Sequence, residues 1–113
     1  MTLNPDEHAE ARQIANELAT LARTGNVLPG SIQQRHMRCG RAGCRCHADP
    51  PRLHGPYWHW TRKVKNKTVS RWLNKQQAEQ YRAWIENDRR IRELVSRLEQ
   101  IGIAHLDAHH QHD

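Results

Sequence analysis

The sequence predicts an α+β fold: an N-terminal helix, a small antiparallel sheet or hairpin with a cysteine-bearing loop, and a long C-terminal helix. Three observations carry that prediction. Apolar residues recur at helical spacing at both ends of the chain. Two short runs rich in aromatic and β-branched residues lie between them. Three cysteines fall within eight residues just ahead of those runs.

The first helix is expected over residues 5–24, because Asn4, Pro5 and Glu7 make a start signal of N-cap, proline at the first helical position and a carboxylate three residues after the cap. Ala11, Ile14, Ala15, Leu18, Leu21 and Ala22 form its apolar stripe, and Gly25 marks the stop. Such a stripe reads as packing surface with no chemistry of its own. Pro29 and Gly30 break the chain, and residues 31–38 read as extended, although Ile32 and Met37 give no clean alternation. From Cys39 to Pro56 there are three Gly, three Pro and no periodicity. A loop of that length in a small protein needs something to organise it.

Tyr57 to Arg62 and Thr68 to Leu73 read as a β-hairpin joined through Asn66, a residue that tolerates positive φ. With period two, Trp58 and Trp60 share one face of the first strand, and Tyr57, His59 and Thr61 share the other. In the second strand Trp72 lies opposite Val69, Arg71 and Leu73. A second capping box, Asn74 with Gln77, opens a long amphipathic helix expected over residues 75–102. Tyr81, Trp84, Asp88, Ile91, Val95 and Leu98 form a heptad-like seam on it, suited to packing on the first helix or to pairing with a second copy of the chain. Residues 1–104 are thus expected to form one domain, followed by a disordered His-rich tail over 105–113.

Composition narrows the function classes. The chain has 113 residues, 36% hydrophobic, and no Phe; its mean hydropathy is -0.99. A core this thin calls for a metal, a disulfide or oligomerisation to supplement it. An odd number of cysteines argues against a disulfide framework, and no N-terminal stretch has the apolar region of a secretory signal, so a reducing cytoplasm is the expected compartment. No apolar run approaches the ~20 residues needed to cross a bilayer, and no membrane partner is expected. Charge is segregated. Between Gln33 and Trp72 lie ten basic residues against the single acid Asp49, whereas the remaining chain holds eight basic and eleven acidic residues. A segment so enriched in cations points to a polyanionic partner.

Cys39, Cys44 and Cys46 sit in the middle of that basic segment. Thiolate and imidazole are the ligands zinc prefers, and a structural site closes with four of them. Cysteines used only as small core residues belong in apolar periodic segments, and these lie in a polar loop. For the fourth ligand His54 leads, because Gly55 and Pro56 after it turn the chain and can aim its ring back at the loop. His47 is adjacent to Cys46, which makes it awkward to seat both on one ion; His36 has an HxxC spacing to Cys39 but falls in the expected strand. Both remain alternatives. A catalytic ion normally keeps an open position beside a carboxylate base, and the segment offers only Asp49. No deaminase, nuclease, hydrolase or phosphate-loop signature is present, so no enzymatic activity is expected.

The runs Gly30 to Arg35, Arg38 to Cys46, His54 to Trp58 and Lys67 to Leu73 resemble a group of short bacterial and archaeal proteins classed as a domain of unknown function. That group has a CG-x-x-x-CxC core, a later HGPY motif and a hairpin leading into a long helix. The likeness covers roughly residues 29–98, and it implies a Zn2+ site at Cys39, Cys44, Cys46 and His54. Where the group often has glycine in the hairpin turn, this chain has Asn66 and Lys67.

Two functions are therefore in play. In the first, a zinc-stabilised basic protein in an accessory or regulatory role binds nucleic acid, DNA ahead of RNA, through the zinc loop and hairpin. Arg35, Arg38, Arg41, Arg45, Arg62, Lys63, Lys65, Lys67 and Arg71 are its candidate phosphate contacts. The four tryptophans, in a chain without Phe, are expected in the core and not as platforms for bases. In the second, the protein is an interaction adaptor, a homodimer formed through the long helix.

Overall fold

The computed structural model describes residues 2–109. Its elements run α1 (Pro5–Arg23), β1 (Ser31–Met37), a short 3-10 helix (Arg45–His47), β2 (His54–Val64), β3 (Lys67–Leu73) and α2 (Lys75–Ala108). The N-terminal helix, three-stranded antiparallel sheet and long C-terminal helix are the α+β class that the sequence predicts. The chain gathers into two compact units, one built from the two chain ends and the other from Pro29–Ile85.

In the first unit, α1 starts at its expected cap. The Asn4 side chain accepts from the Glu7 N–H at 2.8 Å, and the Glu7 carboxylate accepts from the Asn4 N–H at 2.7 Å, so two otherwise orphaned donors are satisfied reciprocally. Ile14, Leu94 and Ile101 form the buried apolar cluster here, with Leu3, Leu18, Leu21 and Leu98 packed against it. Leu94 is the buried residue of its turn, while the seam residue Val95 is exposed. Paired charges surround the cluster: Arg90 bonds Glu17, and Arg97 bonds Glu10, linking α1 to α2.

The C-terminal end differs from expectation. Gly102 does not stop α2, which continues to Ala108. The reason is His105, one turn beyond Ile101 on the buried side, whose Nδ1–H donates to the Glu7 carboxylate at 2.8 Å. The tail expected to be disordered is therefore helical over residues 105–108, while residues 110–113 of that expectation lie outside the described residues.

In the second unit the strand order is β1-β2-β3, with β2 in the centre. Register places Gln33 opposite His59 and Arg35 opposite Tyr57 on one side of β2, and Trp72 opposite His59 on the other. The hairpin turn is Lys65–Asn66, with φ values of 50° and 69°. Two central residues of positive φ match the twist of a two-residue hairpin. Leu73, Ala78 and Ile85 are the buried apolar residues of this unit besides Cys46. The second capping box forms as expected, Gln77 N–H to Asn74 at 2.7 Å and Asn74 N–H to Gln77 at 3.0 Å.

Candidate metal centre

Cys39 leaves the end of β1, Cys44 precedes the 3-10 turn, Cys46 lies within that turn, and His54 is the first residue of β2. Short local bonds shape the loop: Cys44 N–H to the Arg41 carbonyl at 3.1 Å, His47 N–H to the Cys44 carbonyl at 3.0 Å, and Arg52 N–H back to the Arg45 carbonyl at 3.1 Å. His54 is seated by the pairing of β2 with Met37 of β1 and by Gly55, whose φ is +129°. A side chain at Gly55 would put its Cβ 2.8 Å from the Arg35 carbonyl oxygen, so the close approach that brings His54 to the loop requires glycine.

The donor atoms of Cys39, Cys44, Cys46 and His54 all lie within 4.8 Å of one another. Cys44 Sγ and His54 Nε2 are 3.1 Å apart, and Cys46 Sγ and Cys39 Sγ 3.6 Å apart. Donors at zinc's ~2.3 Å Zn–S and ~2.0 Å Zn–N distances would sit about 3.5–3.8 Å from one another around a tetrahedron. The donor set fits a metal ion by both chemistry and spacing. The alternative histidines are elsewhere: His47 Nε2–H donates to the Cys39 carbonyl at 2.8 Å, which braces the loop, and His36 lies in the strand irregularity between Arg35 and Met37, outside the cluster.

Backbone amides face the sulfurs. The Cys39 N–H donates to Cys46 Sγ at 3.3 Å and the Arg41 N–H to Cys39 Sγ at 3.4 Å. The Cys44 thiol is drawn down from its usual 9.0 to about 6, chiefly by the Cys46 backbone N–H; hydrogen bonds to His54, Cys46 and Cys39 add to the effect, against burial. Burial pushes Cys46 the other way, consistent with its complete enclosure. Cys44 is thus ready to ligate at neutral pH, whereas a metal at Cys46 must displace a proton.

Residues 5–83 match a family described as a domain of unknown function, DUF6788. The chain belongs to this family. The match takes in α1 as well as the cysteine loop, the sheet and the start of α2, reaching further toward the N-terminus than residue 29 and stopping short of residue 98. No curated protein and no solved structure matches the chain.

The nine candidate phosphate contacts do not share one surface. By strand alternation Arg62, Lys67 and Arg71 fall on one face of the sheet and Arg35 and Lys63 on the other; Lys65 is in the turn, and Arg38, Arg41 and Arg45 are on the loop. Arg62 and Arg71 lie over the Trp60 ring, 5.1 and 5.8 Å from its centroid. All nine are exposed. Among the described residues none of them takes part in an ion pair, and every ion pair present lies in the unit of the chain ends.

The tryptophans divide: Trp58, Trp60 and Trp84 are half-buried, and Trp72 is exposed. None of the four is buried, and Trp72 is 56% exposed, with the His59 ring packed 3.8 Å from it and Tyr57 meeting it edge-on at 5.5 Å. The signal was in the alternation. Trp72 shares its strand face with Ser70 and Thr68, whereas Val69 and Leu73 occupy the opposite face, so nothing apolar on β3 accompanies it inward.

Proposed function

We propose that this chain is a small zinc-stabilised basic module that binds nucleic acid through its cysteine loop and hairpin, in an accessory or regulatory role. The observation that carries the reading is the coincidence in one unit of a Cys3His donor set and a group of exposed cations that have no ion-pair partner among the described residues. Three soft thiolates and an imidazole select zinc over hard oxygen-loving cations, and four protein donors leave no open position for a substrate. The ion's role is therefore structural: it holds the loop that carries Arg38, Arg41 and Arg45 against the start of β2, and phosphates are neutralised by these arginines and by the hairpin cations.

Titration of a labelled oligonucleotide with the zinc-loaded protein at several salt concentrations tests the reading. Affinity should fall log-linearly with salt. No binding at low salt removes it. Elemental analysis of protein purified without metal-affinity steps tests the ion separately, with about one zinc per chain expected.

A second reading has its own support. Val95, a member of the seam expected to pair with another copy, and Leu106, about three helical turns further along α2, are exposed apolar residues, 43% and 61% accessible. An adaptor of that kind would form a concentration-dependent dimer that persists at high salt, where phosphate-led binding is abolished.

A further inference from the structure

The second unit contains a cleft of about 630 Å³ between the cysteine loop and the sheet, a volume within the ~300–1,000 Å³ usual for small-ligand sites. Its walls differ in chemistry. Arg38 and Arg41 line it from the loop, and Tyr57 and Trp72 from the sheet. Three of the four candidate metal ligands, Cys39, Cys44 and His54, also line it, so an ion held there would fix the loop that carries the two arginines.

The aromatic wall is braced by ring contacts but uncovered. Tyr57 holds Trp72 edge-on and the His59 ring backs it, yet more than half of Trp72 remains accessible. His59 itself is 6% exposed, which anchors the platform from beneath. No acidic residue lines the cleft, and its arginines have no carboxylate partner among the described residues. A flat π surface beside two unneutralised guanidinium groups complements one chemical unit above others: a planar heterocycle joined to a phosphate. The geometry points to an unpaired nucleotide of a single strand as the occupant, its base stacked on Trp72 against Tyr57 and its phosphates held by Arg38 and Arg41. Bases within a duplex are stacked on one another and present only their edges, so this cleft selects single-stranded over double-stranded nucleic acid. The inference rests on the nucleic-acid reading and narrows it.

The test compares a labelled oligothymidylate with a duplex of equal length, using the zinc-loaded full chain. The single strand should bind more tightly, Trp72→Ala should weaken it about 5- to 150-fold with little effect on the duplex, and Trp72→Phe should recover most of the loss. Zinc content of each variant verifies that the loop is intact. Because a variant can misfold, the unmodified protein is also crosslinked to a bromodeoxyuridine-substituted strand, with adducts expected at Tyr57 or Trp72. Equal affinity for single strand and duplex, or adducts confined to other residues, overturns the cleft assignment while leaving nucleic-acid binding in place. Failure of both probes to bind at low salt overturns the underlying function as well.

Discussion

The two units of this chain satisfy their charges and cores in opposite ways. The unit formed by the chain ends pairs helix faces through Ile14, Leu94 and Ile101 and ties Arg90 and Arg97 to Glu17 and Glu10. Pro29–Ile85 buries only Cys46, Leu73, Ala78 and Ile85 among its apolar residues, and its exposed arginines and lysines find no carboxylate among the described residues. A helix pair can close on apolar stripes alone. A three-stranded sheet carrying a long irregular loop has little apolar area for that, and the Cys3His donor group is the feature that could supplement it. Cations left unpaired on such a scaffold cost repulsion, and under the proposed function a bound polyanion would relieve that cost.

The sharpest way to break this contrast is to remove the metal. Chelation, or Cys46→Ser, should unfold the sheet and loop while α1 and the C-terminal half of α2 stay protected in residue-resolved hydrogen exchange. The effect should be the largest available, since structural zinc in finger peptides contributes on the order of 10 kcal/mol. A sheet equally protected without metal would show that its own packing suffices. The converse perturbation is Leu94→Ala, which leaves a cavity in the helix cluster and should cost about 2–5 kcal/mol by denaturant unfolding. Its zinc content should be unchanged.

Much of the first unit was legible because helices announce themselves locally: Asn4 with Glu7, and Asn74 with Gln77, are cap signals that need no tertiary context. The cysteine cluster was legible for a similar reason, since its residue types have few alternative uses in a polar loop. What escaped was set by long-range partners. His105 continues α2 past Gly102 because Glu7, almost a chain length away in sequence, accepts its proton donor. His54 was already the leading fourth ligand in the sequence; what the sequence did not give is where the His47 ring goes instead, onto the Cys39 carbonyl. Trp72 escaped through an argument from scarcity. A chain without Phe was expected to bury its tryptophans, but the strand face that Trp72 shares with Ser70 and Thr68 was polar.

Charge substitutions separate the units at a smaller scale. Arg41→Glu, on the cleft, should weaken oligonucleotide binding and lower the slope of log affinity against log salt by about one for each phosphate no longer neutralised, without moving the melting midpoint. Arg90→Glu should do the reverse, costing some stability through removal of the Glu17 pair and adding repulsion, with zinc content intact. If Arg90→Glu weakened binding as strongly as Arg41→Glu, the division of roles between paired and unpaired cations would not hold.

The smallest expected effect is a pH dependence confined to the helix unit. Hydrogen bonding by the Asn4 backbone N–H, aided by His105, holds the Glu7 carboxyl below its usual 4.5. A group whose folded pKa is depressed contributes stability that is complete above its unfolded value and is lost as pH falls through the folded one. Protection of α1 amides should therefore hold from neutral pH down to about 4.5 and decline below it, and Glu7→Gln should flatten that decline while lowering protection at neutral pH. Acid also protonates thiolates and imidazole, so a global melt would report metal release from the other unit instead. Residue-resolved exchange in α1 distinguishes the two, because the Glu7 contribution acts on the capped turn and on the His105 hydrogen bond, and neither involves a metal ligand. An α1 protection profile that fell in step with zinc loss, and was unchanged by Glu7→Gln, would mean that the helix pair depends on the cysteine-bearing unit after all.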